Sequence, residues 1–307
     1  MNRILIGCIV LFFGCKKQTN KMEHPINEET VVSTVSTVLT DDFELIKSDN
    51  SEVLLIVFPA GGSTSKETKA DFKIVEKATE KGISVLLMNY GKLWIEEEDS
   101  RQLSELIKQA VKTNGINTNS VFIGGMSIGG TTALTFSNYL YETKASIQPQ
   151  GVFVVDSPID LYALYQSSKK DVLRTDFSEE RLGEPKWIIS YFEEQFGVKD
   201  SLLKNIQKVS PITMYTANLT NIQNLENQKI RFYTEPDTLW LKTVRQTDFE
   251  STNAYTIQKT AALLKEKNWP QVELIQTKNK GYRANGDKNP HSWSIVDVDN
   301  LLDWILG

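Results

Sequence analysis

A serine set among glycines, at the junction of a strand pattern and a helix pattern, constrains this chain more than any other feature. The apolar run Val121-Phe122-Ile123 leads through Gly124-Gly125-Met126-Ser127-Ile128-Gly129-Gly130 into Thr131–Tyr141, whose apolar spacing is helical. The core pattern is G-x-S-x-G. It would arise by chance in roughly one chain in ten of this length, so the strand before it and the helix after it carry the weight. A strand that turns straight into a helix crowds its backbone, and small residues beside the turn relieve the crowding. Gly125 and Gly129 fill those places, with Gly124 and Gly130 adding slack. Ser127 is then lifted off the end of a sheet. The helix behind it presents unpaired N–H groups and a positive dipole end to any negative charge formed there.

The rest of the chain narrows the class. Its 307 residues, 40% hydrophobic and 24% charged, suit one large α/β domain with an insertion, or at most two domains. A net charge of −5 builds no basic face for nucleic acid. The two cysteines, Cys8 and Cys15, both stand near the start, so the body has neither a disulfide nor a cysteine nucleophile. The two histidines are His24 and His291, and no H-E-x-x-H motif or Cys/His cluster is present. Neither a metal nor an organic cofactor is expected.

Met1-Asn2-Arg3 followed by the apolar run Ile4–Phe13 reads as a signal peptide over residues 1–14, too short to span a membrane permanently. Its ending, Leu11-Phe12-Phe13-Gly14-Cys15, resembles the lipobox of bacterial lipoproteins. The resemblance implies cleavage before Cys15, a lipid anchor on that residue, and an exported, membrane-anchored protein. Residues 15–29 are polar and lack apolar periodicity, as a flexible tether would, and His24 lies among them. The folded domain is expected over 30–307.

Within it, strand patterns alternate with helix patterns. Val31–Val38 and Phe43–Lys47 read as a hairpin, and Val53–Phe58 as a strand buried on both faces. Pro59-Ala60-Gly61-Gly62 forms a glycine loop after it. Further strands are expected at Ile83–Met88, Gly151–Val155, Lys229–Thr234 and Gln271–Gln276. Helices are expected over 66–81, 96–113, 252–268 and 295–306. This order implies a mostly parallel central sheet flanked by helices, with reactive groups at the carboxyl ends of its strands. About 157–209 breaks the rhythm as a helical, charge-rich cap insertion. Its aromatics Tyr162, Tyr165, Trp187, Tyr191, Phe192 and Phe196 either line a pocket or form the insertion's own core.

These parts together resemble the α/β-hydrolase superfamily, from about Glu52 to the carboxyl terminus. The resemblance rests on the elbow Gly125–Gly129, the loop Pro59–Gly62, Asp237 after a late strand and His291 after the last one, in the order serine, acid, histidine. It implies the α/β-hydrolase fold and acyl transfer on a small-molecule ester. A serine hydroxyl needs a base to take its proton, and outside the tether His291 is the only histidine. An imidazole needs a carboxylate to hold its tautomer. Asp237, three residues past its strand, is the first choice. Glu235 is the alternative, and Asp248 and Asp156 rank below both. The N–H groups of Ile128 and Gly61 are the expected oxyanion donors. A peptidase or acyltransferase on the same triad, and a binding protein that keeps only the fold, are the competing readings, because one scaffold hosts many chemistries.

Overall fold

The computed structural model describes residues 35–307. The signal peptide, the tether, Cys15 and the first residues of the expected hairpin lie outside the described residues. An eight-stranded sheet runs in the order β1-β2-β4-β3-β5-β6-β7-β8. Its strands are β1 (Val35–Leu39), β2 (Phe43–Ser48), β3 (Val53–Phe58), β4 (Ile83–Met88), β5 (Ser120–Met126), β6 (Gly151–Val155), β7 (Lys229–Thr234) and β8 (Val272–Gln276). β1 and β2 form the expected antiparallel hairpin, β2 pairs antiparallel with β4, and every other pairing is parallel. The sheet is therefore the mostly parallel one that the continuous apolar runs call for. Every residue of β3, β4 and β6 is buried, because helices cover both faces.

Alternate residues along each strand feed two cores. Leu54, Ile56, Ile123, Val152 and Phe232 pack on one face. Leu55, Val57, Phe122, Phe153 and Tyr233 pack on the other. Helix α3 (Glu97–Thr113) and helix α4 (Ile128–Glu142) add Leu103, Ile107, Leu134 and Phe136 to the first core.

Two expected helices are broken. The pattern over 66–81 divides into α1 (Ser65–Phe72) and α2 (Val75–Glu80), with Lys73 between them at φ +50°. Phe72, Ile74 and Val75 are all buried. Side chains so closely spaced do not share one helical face, and the break lets each reach the core. The carboxyl-terminal pattern divides into a 3₁₀ turn, Trp293–Ile295, and a helix over Val298–Leu306. Asp297 starts that helix by accepting a hydrogen bond from the Asn300 N–H at 3.1 Å.

Between β6 and β7 the chain forms α5 (Leu161–Asp171), α6 (Glu179–Phe196) and α7 (Asp200–Ile206). Tyr165, Phe192 and Phe196 join Leu161, Leu202 and Trp94 in a separate core. Those aromatics hold the cap together, whereas Trp187 and Tyr191 line the cavity described next.

The strand order places the site. From β3 the chain steps one way to β4, then crosses back to β5 and continues the other way through β8. The crevice at such a reversal, past the carboxyl ends of β3 and β5, is where open α/β sheets bind ligands. The glycine loop leaves β3 there, and Ser127 leaves β5.

Candidate active site

Ser127 takes φ +54° and ψ −128° between β5 and α4. An L residue rarely adopts that backbone, and the surroundings enforce it. A side chain on Gly125 would meet the Gly129 carbonyl at 2.3 Å. One on Gly129 would meet the Pro59 carbonyl at 2.3 Å, and one on Gly130 would meet Ser157 Oγ at 2.0 Å. The turn can be this tight only because these positions lack Cβ atoms.

The contact of Gly129 with the end of β3 also draws the Pro59–Gly62 loop alongside. A Cβ on Gly61 would lie 3.3 Å from Ile128 Cδ1. Ser63 donates to the Ala60 carbonyl at 3.0 Å. The N–H groups of Gly61 and Gly62, inside that turn, bond no other described residue. Ile128 is the first residue of α4, so its N–H has no carbonyl one turn back to bond. The two expected oxyanion donors thus stand on adjoining segments.

His291 is delivered by the loop after β8. Its Nδ1 lies 2.7 Å from Oδ2 of Asp156, the residue immediately after β6. A neutral imidazole facing a carboxylate in this way donates from Nδ1 and turns its Nε2 lone pair away from it. The ring is 39% exposed and the carboxylate 14%, so the carboxylate is shielded while the imidazole stays open to the cavity. Asp156 itself is held at φ +40°. Its N–H donates to the Tyr233 carbonyl at 3.0 Å. Its own carbonyl accepts from Asn253 Nδ2 at 3.0 Å.

The carboxylate expected on His291 was Asp237, and the structure places it elsewhere. Asp237 pairs with Lys288 and caps the short helix α8 (Thr238–Trp240), accepting from the Trp240 N–H at 2.9 Å. The Lys288 ammonium, and then the Trp240 N–H, hold its carboxyl below the ordinary carboxylate value. The stabilisation is present above the unfolded carboxyl's pKa and is lost as pH falls through the folded one. Three residues past its strand, Asp237 has already turned aside into that helix start. Asp248 caps no ring either; it precedes a 3₁₀ turn, Phe249–Ser251.

Glu235, the alternative acid, works on the loop rather than the ring. It is 3% exposed. Its Oε2 accepts from the N–H of Lys280 at 2.8 Å, from that of Gly281 at 3.1 Å and from the Thr277 hydroxyl at 3.1 Å. The Gly281 carbonyl then accepts from the Asn289 N–H at 2.9 Å. Asn289 Oδ1 accepts from the His291 N–H at 3.0 Å. A continuous hydrogen-bonded path therefore runs from a buried carboxylate to the histidine backbone. Glu235→Ala should lower kcat roughly 10- to 100-fold with KM little changed, because sub-ångström misplacement of a reacting group costs that much. Glu235→Gln keeps an acceptor oxygen and should recover most of the loss. Steady-state kinetics on both variants check this, and a wild-type kcat in Glu235→Ala would refute it.

Ser127, His291, Asp156, Glu235, Gly61 and Ile128 all line one cavity of about 1510 Å³. Ser127 Oγ makes no hydrogen bond to another described residue; such contacts commonly tighten only when a ligand is bound. Among the described residues no three metal-ligating side chains converge.

No family model matches the sequence, and neither does any curated protein. Solved structures do match the fold. A Pyrococcus furiosus esterase aligns over 89% of each chain at 15% identity and TM-score 0.52. A Pyrobaculum calidifontis esterase aligns over 89% of this chain and 85% of that one, at 14% identity and TM-score 0.53. A double mutant of the esterase E40 aligns over 90% and 85%, at 13% identity and TM-score 0.55. Together with the strand order, the likeness establishes the α/β-hydrolase fold with a helical cap.

Proposed function

We propose that this protein is a serine esterase that cleaves a small-molecule ester through an acyl-enzyme on Ser127. The observation that carries the reading is that a strained Ser127 and a carboxylate-bound His291 line one cavity. The esterases among the structural neighbours support it. In the reaction, Ser127 Oγ attacks the ester carbonyl carbon as His291 Nε2 takes its proton. The N–H groups of Ile128 and Gly61 hold the oxyanion, and losing one such donor typically costs about 3–4 kcal/mol of barrier. The charged imidazolium is stabilised by Asp156. The C–O bond to the alcohol then breaks, and His291 returns the proton to the departing oxygen. A water molecule, deprotonated by His291, attacks the acyl-enzyme, releases the acid and restores the serine. No step calls on a metal or cofactor.

A fluorophosphonate probe tests the reading. It should label the wild-type protein and leave Ser127→Ala unlabelled; equal labelling of both, or of neither, would refute it. Turnover of ester, amide and aminoacyl substrates separates an esterase from a peptidase or acyltransferase.

We further propose that Cys15, outside the described residues, carries a lipid anchor that holds the exported protein to a membrane. Cys15→Ser should move the protein from the membrane fraction to the soluble one, because the anchor supplies most of the binding. Unchanged partition on ultracentrifugation would remove the anchor and leave the esterase reading untouched.

A further inference from the structure

The cavity extends well beyond Ser127 and His291, and its cap wall has a distinct chemistry. Glu184, Trp187, Tyr191 and Gln195 follow one another along α6 at spacings of three and four, so they share one face of the helix. All four line the cavity that holds Ser127. Trp187 is 54% exposed. It is nonetheless held: its ring stacks on Tyr191 at 5.2 Å with 15° between planes, and Tyr191 lies 5.0 Å from Trp94. Trp94 is buried against Phe192 and Phe196 in the cap core. The result is a firm, flat aromatic platform. At its two ends, the Glu184 carboxylate and the Gln195 carboxamide make no hydrogen bond to other described side chains or backbone, so both are free to bond a ligand.

We propose that this face of α6 is a subsite for a pyranose ring, so that the ester taken by the enzyme is an O-acylated sugar. The inference rests on the esterase reading above and names its substrate class. A pyranose presents a face of C–H groups whose slight positive charge suits the negative face of an indole, and it presents hydroxyls around its rim. The Glu184 carboxylate, one turn before Trp187 on the helix, matches that rim by accepting from its hydroxyls, whereas Gln195, about 12 Å along the helix from Trp187, is placed for a group beyond the ring. A fatty acyl chain would cover the same rings but would strip water from Glu184 and Gln195 without replacing its hydrogen bonds, which is costly. A quaternary ammonium group is best held by aromatic faces that converge on it. Trp187 and Tyr191, nearly parallel and stacked on each other, offer one flat surface instead.

The test compares methyl 6-O-acetyl-glucopyranoside with butyl acetate and acetylcholine, each followed by acid release. Wild type should favour the sugar acetate in kcat/KM over both other acetates. Trp187→Ala should lower the ratio of sugar acetate to butyl acetate about tenfold, the scale of one ring-stacking contact. Trp187→Phe, which keeps a ring, should recover part of that ratio. Methyl glucopyranoside should inhibit butyl acetate hydrolysis competitively, and less so in Trp187→Ala. Butyl acetate turned over as well as the sugar ester, with a ratio unmoved by Trp187→Ala, would overturn the subsite and leave the esterase reading standing. A preference for acetylcholine would overturn it in favour of a cationic alcohol. Failure to hydrolyse any of the three, with no fluorophosphonate labelling, would overturn both.

Discussion

Replacing Ser127 by alanine is expected to lower kcat by about 10⁴-fold or more, with the fold and thermal midpoint preserved. A triad serine acts as a unit with its base, and removing it forfeits the covalent route entirely. What remains is the catalysis supplied by binding and the oxyanion donors, typically about 10³–10⁴ over water. The fold should survive because Ser127 Oγ bonds to no other described residue. The strained backbone at φ +54° is enforced by the surrounding glycines rather than by the hydroxyl. Burst kinetics and ester hydrolysis on a variant whose circular dichroism matches wild type provide the measurement. Retention of more than a few per cent of activity would mean that Ser127 is not the nucleophile.

The second large effect separates two aspartates. Asp156→Asn should lower kcat by roughly 10³- to 10⁴-fold, about 4–5.5 kcal/mol of barrier. Asparagine has nearly the size of aspartate but brings no negative charge to stabilise the imidazolium. Its amide also has a donor side that favours the wrong ring tautomer. Asp237→Asn should cost less than about tenfold. It weakens the contact to Lys288 in the histidine loop without touching the imidazole. KM should change little for either variant, since neither side chain is asked to bind substrate. Kinetics on the pair, run side by side, decide the matter. A large loss in Asp237→Asn with a near-normal Asp156→Asn would reverse the assignment and require His291 to change partners during the reaction.

The contrast between these two acids shows how far the sequence reaches. The elbow around Ser127 was legible because its cause is local: a strand pattern, a crowded turn and a helix pattern lie within a few consecutive residues. His291 was legible through scarcity, since the folded region holds no other histidine. Gly61 was placed on the strength of a buried strand running into a glycine loop, and the structure sets it against Ile128. The break at Lys73 was missed although its signal was present. Phe72, Ile74 and Val75 are too closely spaced for one buried helical face. Asp156 carried a weaker signal of the same sort, a carboxylate directly after a fully apolar strand that precedes the cap.

By itself, the sequence determined the alternation of buried strands and helices, the serine turn, and His291 as the only histidine of the folded region. Each follows from periodicity, backbone sterics or composition, which act over a few residues or are simply counted. Only the tertiary structure decided which carboxylate meets the His291 imidazole. Asp156 and His291 are 135 residues apart, and every candidate acid has the same intrinsic chemistry. The choice depends on β6 lying beside β5 in the sheet, and on the loop after β8 being tied by Glu235 so that the imidazole meets Asp156. A hydrogen bond discriminates over a few tenths of an ångström, a precision that no local pattern encodes.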